Sequence, residues 1–298
     1  MHDTHLHGTQ VYRSAAGADE IRSWCEERIT TWPGLTALPP LRTALGTTRA
    51  FTAGGGDATP VVFLGGNNFN SATSVDLAGV LARDRTVTLV DLPGRPGLSE
   101  GTRPRSGRAA AYGAWFDEVL PMLTERPVTV LAHSLGAAVT LAASPSALVR
   151  AVVMVAPAGL TAAPATSELM RIALPWMIGP RDDKSTRLLD YMSGAAYTSA
   201  ARGVPVHPLA RWMTLVGRHC RTGLAPGPLP VESLRPWGDT PVIVATGSED
   251  AFYSPARLHG PARRLLDCEV TVLEGAGHLA PYEMPERMAG LVRSLDRL

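Results

Sequence analysis

What most constrains this chain is a series of short apolar runs with no polar alternation. Residues 60–64, 86–90, 128–132, 151–155, 242–245 and 270–273 are each four or five residues long and rich in Val and Leu. A strand with one wet face alternates apolar and polar residues, whereas a strand covered on both faces has no reason to. Segments with helical spacing at 75–82, 109–123 and 285–295 lie between or after the runs. That order predicts an α/β fold: a mostly parallel central sheet flanked by helices. Upstream, apolar positions across 18–31 recur at helical spacing until Trp32-Pro33-Gly34, which marks a lead-in helix. Residues 41–45 and 49–53 flank Gly46-Thr47-Thr48 in the manner of a β-hairpin.

One interval breaks this rhythm. The stretch from 156 to 241 is far too long for a single crossover between neighbouring strands, and it carries several Pro and Gly interruptions around helix-like pieces at 167–178, 185–191 and 209–221. We read 157–235 as a helical lid inserted between core strands, with 1–156 and 236–298 forming one body. The length of 298 residues alone suggests two domains at about 150 residues each. The insertion replaces that estimate with one body and its lid.

Composition excludes several classes of function. An apolar fraction of 45% with 18% charged residues permits a sizeable core and rules out a disordered chain. With 28 basic against 27 acidic residues, no net field favours nucleic acid or an anionic surface, so the expected partner is a small molecule. No apolar run is long enough for stable membrane insertion. Residues 1–7 lack a basic region followed by an apolar run, and Cys25, Cys220 and Cys268 form neither an even set nor a CxxC pair. Both features point to a cytoplasmic chain with buried thiols. His2, Asp3, His5 and His7 read as a solvated polar end, so no metal site is expected; nothing in the sequence sets an oligomeric state.

The sharpest local feature is Ala132-His133-Ser134-Leu135-Gly136, where a strand runs into small residues around a serine and continues as a helix. Small neighbours permit a tight strand-to-helix turn that lifts a nucleophile above the sheet edge; the plainer reading is a serine capping a helix. Context favours the first. Serine needs a base, and the base needs a carboxylate that fixes its tautomer. Asp250 follows the run at 242–245 and His278 the run at 270–273, so Ser134, Asp250 and His278 all fall just beyond expected parallel strands, where open α/β sheets bind ligands. Among rivals, His133 reads as elbow packing, Asp91 as a loop-fixing carboxylate, Glu249 as the fallback for Asp250, and His207, His219 and His259 as surface or lid residues.

These motifs resemble the α/β-hydrolase superfamily from about Leu41 onward. Ala132-His133-Ser134-Leu135-Gly136 is similar to its nucleophile elbow. Asp91-Leu92-Pro93-Gly94-Arg95-Pro96-Gly97-Leu98-Ser99 is similar to its loop after the fourth strand, Gly247-Ser248-Glu249-Asp250 to its acid turn, and Gly277-His278 with Glu283 and Pro285 to its histidine loop. The resemblance implies an oxyanion hole from the backbone N–H groups of Leu135 and Asn67. The family's usual His-Gly is replaced here by Gly65-Gly66, followed by Asn67-Asn68-Phe69-Asn70, so a side-chain amide of Asn67 or Asn68 is available to the oxyanion or the substrate. A serine at the elbow, where dehalogenases and epoxide hydrolases of the superfamily carry aspartate, implies acyl chemistry. The implied activity is cofactor-independent hydrolysis of a carboxylic ester, lactone or thioester. The superfamily also contains acyltransferases, carbon–carbon hydrolases, lyases and cyclases of small-molecule biosynthesis, which stay open. Asn68, Phe69, Trp176, Met177, Trp212 and Met213 are candidates to face an apolar or aromatic substrate; the alternative for the lid residues among them is packing of lid helices.

Overall fold

A computed structural model describes residues 8–223 and 226–297. The chain opens with β1 (Gly8–Gln10), α1 (Ala15–Thr30), β2 (Thr36–Ala37), β3 (Leu41–Thr43) and β4 (Gly46–Ala53). The core follows as β5 (Val61–Leu64), α2 (Val75–Leu81), β6 (Val87–Asp91), β7 (Thr102–Pro104), α3 (Arg108–Leu123), β8 (Val128–His133), α4 (Leu135–Ala142) and β9 (Val149–Val155). Four helices come next: α5 (Ser167–Ile178), α6 (Asp182–Met192), α7 (Ala210–His219) and α8 (Val231–Leu234). The chain closes with β10 (Val242–Gly247), α9 (Pro255–Leu266), β11 (Val270–Leu273), α10 (Ala280–Glu283) and α11 (Pro285–Leu295). None of the helices among the described residues is long and apolar enough to cross a membrane.

The main sheet runs β11-β10-β9-β8-β5-β6-β4-β2, with β3 paired to β4. Strands β5, β6, β8, β9, β10 and β11 are parallel, and β4 joins antiparallel to β6. The six apolar runs are the six parallel strands. Side chains alternate across the pleat: Val62 and Leu64 of β5 pack with Trp115, Phe116 and Val139 on one face, while Val61 and Phe63 pack with Leu77, Leu81 and Val292 on the other. Both faces are therefore apolar, which is why no polar alternation shows in the sequence.

Chain order reverses between β5 and β8: the chain moves outward to β6 from β5, but on through β9 to β11 from β8. Loops leaving these two strands diverge and open a crevice at their carboxyl ends.

Two local expectations are corrected, and one strand pairing is new. The hairpin turn falls at Ala44-Leu45, earlier than Gly46-Thr47-Thr48, because Gly46 takes φ 95° and opens β4. Pairing of β1 with β7 joins residues too far apart in sequence for any local signal. Helix α1, grouped with the catalytic body on sequence, shares its buried face with the inserted helices. Ile21 and Cys25 pack with Leu189, Trp212 and Val216, and the Trp24 and Trp212 rings lie 4.7 Å apart. Cys25 and Cys220 are buried free thiols; Cys268 is half-buried.

Candidate active site

Four loops converge on the crevice. Ser134 ends β8 and begins α4 with φ 50° and ψ −106°, a conformation that costs a non-glycine residue energy and persists only where its surroundings fix it. The fixing bonds are backbone ones. Ser134 N–H donates to Val155 O at 2.9 Å, and its carbonyl accepts from Ala158 N at 3.1 Å. The small residue at 136 is needed for the approach of α4 to the sheet, since a Cβ on Gly136 would stand 2.2 Å from Leu64 O. The result places the Ser134 hydroxyl in the crevice and not on an amide of α4, which makes no side-chain capping bond with it.

Ser134, His278 and Asp250 form a hydrogen-bonded row. Ser134 Oγ lies 3.2 Å from His278 Nε2, and His278 Nδ1 lies 3.0 Å from Asp250 Oδ2. A carboxylate only accepts, so Nδ1 carries the proton and Nε2 is left to accept from the hydroxyl. Asp250 is almost wholly buried, and its other oxygen accepts from Phe252 N at 2.7 Å and Tyr253 N at 2.9 Å. Burial works to raise its pKa, but His278, through charge and hydrogen bond, and then the two amides outweigh burial and hold it below the ordinary carboxylate value. Glu249 is exposed and accepts from Ala195 N at 2.6 Å, so the fallback acid serves the inserted segment instead.

The histidine loop is stapled by the glutamate that follows it. Glu283 accepts from Gly277 N at 2.8 Å and from Gly194 N at 3.1 Å, while His278 N donates to Met192 O at 2.7 Å. His133 lies beneath the row, and its Nε2 donates to His278 O at 2.9 Å. Burial, with the neighbouring His278, pushes the pKa of His133 down to about 3, so the ring stays neutral and acts in packing. Asp91 accepts from Ser71 N and Oγ and from Leu98 N, as a carboxylate that fixes loops does. His207 is buried within the insertion, His219 stands beside Glu20, and His259 is exposed beside Glu269. The His2, Asp3, His5 and His7 group lies outside the described residues; among those described, no cluster of three or more His, Cys, Asp or Glu is placed to hold a metal.

On the opposite side of Ser134 lies the loop after β5. Gly66 rests against the elbow so closely that a Cβ there would come within 2.8 Å of His133 Nδ1. This contact accounts for the glycine at 66, where a larger residue would have to displace His133; a Cβ on Gly65 would instead meet Phe69 O at 3.3 Å. Neither Asn67 N–H nor Leu135 N–H donates to any turn, loop or cap acceptor among the described residues. Both stay available to an oxyanion. The Asn67 side chain, however, is engaged: Nδ2 donates to Gly223 O at 2.6 Å and Oδ1 accepts from Arg95 Nη1 at 2.6 Å. One N–H of its amide is thereby taken and the side chain is fixed in place, while the second N–H has no acceptor among the described residues. Asn68 takes φ 66°, and its carbonyl accepts from Trp212 Nε1 at 2.7 Å.

Of the two readings for the candidates to face substrate, packing of the inserted helices describes Trp176, Trp212 and Met213. Trp176, Trp212 and Met213 are buried in the cluster formed by the inserted helices and α1, and Trp176 Nε1 donates to Met213 O at 3.1 Å. Phe69 is buried in the same cluster with its ring 5.1 Å from that of Tyr282. Met177 is 54% exposed on the outer side of α5. Their apolar character serves packing or lies on the surface. Arg95, Tyr112 and Gly223 line the same region and were not singled out as site residues; Arg95 sits at a variable position of its motif, and Gly223 is remote from every motif.

Comparison with known proteins settles the family. Residues 61–291 match the model of the alpha/beta hydrolase family. The chain belongs to that family. Solved structures share the fold of this α/β-hydrolase over nearly its full length. A putative hydrolase from Bacillus subtilis superposes with a TM-score of 0.76 at 20% identity, covering 94% of this chain and 99% of its own. Naproxen esterase (carboxylesterase NP) from Bacillus subtilis gives 0.74 at 20% identity, covering 95% and 99%. Carboxylesterase CesB from Bacillus subtilis gives 0.73 at 19% identity, covering 94% and 98%. No curated protein matches this α/β-hydrolase in sequence.

Proposed function

We propose that this α/β-hydrolase is a serine hydrolase that cleaves a carboxylic ester, lactone or thioester through an acyl-enzyme. The observation that carries this reading is the row Ser134–His278–Asp250, with its 3.2 and 3.0 Å hydrogen bonds, at the carboxyl edge of a parallel sheet. Ser134 Oγ attacks the carbonyl carbon and its proton passes to His278 Nε2, while Asp250 holds the ring and offsets the imidazolium charge. Leu135 and Asn67 N–H groups take the negative oxygen of the tetrahedral intermediate. Collapse breaks the bond to the leaving alcohol or thiol, which receives the proton from His278. Water then repeats the cycle on the Ser134 ester and releases the acid.

Residues 157–235 act as a lid over this edge. The end of α6 reaches the base through Met192 O, and α7 reaches the oxyanion loop through Trp212. Turnover of a panel of acyl esters, read together with fluorophosphonate labelling, tests the reading. Ser134→Ala is expected to lose labelling altogether and to lower kcat by about 10⁴-fold or more; full turnover in that variant would sink it.

A further inference from the structure

Arg95 is only 6% exposed, yet it forms no ion pair with any described residue. Its Nη1 donates to the neutral Asn67 amide, its guanidinium stands 5.7 Å from the Tyr112 ring centre, and its Nε has no acceptor among the described residues. Arg103 repeats the pattern, with 6% exposure and an unpartnered Nε. A third arginine, Arg108, stands at their solvent edge, exposed and with its Nε donating to Pro104 O at 3.0 Å. A Cβ on Gly223 would lie 3.4 Å from Arg103 Nη1 and 3.9 Å from Arg108 Nη1, so these two guanidinium groups meet at Gly223, whose carbonyl also holds Asn67.

Burying a cation is costly unless an anion or a full set of acceptors meets it, and gathering like charges adds to the cost. Arg85, by contrast, is equally buried and is matched by Asp84 and Asp296. Burial pulls both Arg95 and Arg103 below the ordinary arginine range, and Arg108 depresses each further. The group has no described counterion, and its planar, multi-donor heads are the kind that take a carboxylate in a fork.

A cavity of about 90 Å³ lies beside these arginines, lined by Arg95, Arg108, Tyr112, Leu135, Ala138 and Val139. That space holds a group of several non-hydrogen atoms. One wall is Leu135, the residue after the candidate nucleophile; Arg95 reaches it from the side of Asn67. The cavity thus borders the two residues that flank the candidate site, Leu135 next to Ser134 in sequence and Arg95 on the Asn67 side chain, with an aliphatic wall from α4 and a cationic rim. Resting on the hydrolase reading above, we infer that the acyl half of the substrate is a short chain ending in a carboxylate, which Arg95 and Arg108 receive. This revises the expectation of a wholly apolar substrate at one end of the molecule.

Monomethyl glutarate and methyl pentanoate have nearly the same shape and differ in the terminal charge, so kcat/KM on the pair at low ionic strength reads the preference directly. The charged ester is expected to be favoured at least tenfold, the ratio to fall about tenfold in Arg108→Met, and Arg108→Lys to recover part of it. Binding of free glutarate and pentanoate to Ser134→Ala by calorimetry asks the same question without turnover. Equal binding there overturns the inference whatever the enzyme hydrolyses. Preferred glutarate binding with undiminished hydrolysis by Ser134→Ala supports the anion site and overturns the serine mechanism instead. Inorganic phosphate displacing nothing is expected; phosphate binding more tightly than glutarate overturns the carboxylate assignment. Asp3, outside the described residues, is the one aspartate or glutamate side chain not placed here. A glutarate preference that appears only in Asp3→Asn also overturns the inference, since the arginines would then be answered from within the chain.

Discussion

Asp250 is held by amides two and three residues further along its own turn, whereas Asn67 is held by Gly223, 156 residues away, and by Arg95. The Asp250 turn is largely local: once β10 is in place, the chain just beyond it supplies both amides to one carboxylate oxygen and leaves the other for His278. The oxyanion loop is assembled from pieces of three regions, and Trp212 of α7 anchors it from 144 residues away. His278 stands between the two styles, with its side chain on Asp250 and its backbone N–H on Met192 at the end of α6. The difference implies a division of labour. The Asp250 turn owes its geometry to the sheet, the Asn67 loop owes part of its geometry to the insertion, and His278 draws on both.

Asp250→Asn strikes the local half and has the largest expected effect. The amide can present a donor to His278 Nδ1 and so stabilise the wrong tautomer, which lowers kcat by about 10⁴-fold while leaving the fold intact. Steady-state kinetics alongside a thermal melt would check it; a loss below tenfold would remove Asp250 from its role. Trp212→Phe strikes the other half by deleting the bond to Asn68 O. One hydrogen bond of net worth about 1 kcal/mol corresponds to roughly fivefold in kcat, with Ser134 labelling slowed alike. Should this variant prove as damaging as Asp250→Asn, the two halves would not be separable.

The smallest expected effect on turnover lies where the halves meet, at His133, which touches Gly66 on one side and His278 O on the other and whose effect falls on stability. Its pKa falls from 6.5 to about 3 on folding, so the native state binds fewer protons than the unfolded chain in that interval. Stability is complete above about pH 6.5 and is lost as the pH falls toward 3, at up to about 1.4 kcal/mol per pH unit. His207, lowered to about 4 by burial, adds to the slope between those values. Urea midpoints at pH 7.5, 6 and 5 should decline, and His133→Gln, which keeps a donor for His278 O, should flatten the decline by about one proton. An unchanged slope in that variant would show that His133 is charged in the native state.

Legibility in the sequence follows the same divide. Ser134, Asp250 and His278 could be picked out because each follows a strand whose burial on both faces leaves a plain apolar run, and because turn residues mark where the run stops. Asp91 was readable as a loop-fixing residue for the same local reason. The engaged side chain of Asn67 was not readable, since its partners are Gly223 and Arg95 and no periodicity links them. Trp176, Trp212 and Met213 show why an apolar face is ambiguous: a helix presents the same stripe whether it covers a ligand or another helix, and here the partner is α1. The β1–β7 pairing and the shifted hairpin turn escaped for the reasons that make β structure hard to read, namely distant partners and a single glycine dihedral.

The clasp between α1 and α7 has a consequence for how the molecule is made. Arg13 is bonded to Cys220 across a separation of 207 residues, and Ile21 and Cys25, which meet Phe69, Asn70 and Ala72 nearer in sequence, complete their packing only against α6 and α7. At elongation rates of about 5–20 residues per second, α1 leaves the ribosome on the order of 10–40 s before that surface exists. Until then the part of its apolar stripe that faces α6 and α7 is uncovered, and the insertion closes only when this helix meets it. The bonds of Asn67 to Gly223 and of Trp212 to Asn68 therefore form after the strand that carries Ser134 has been made.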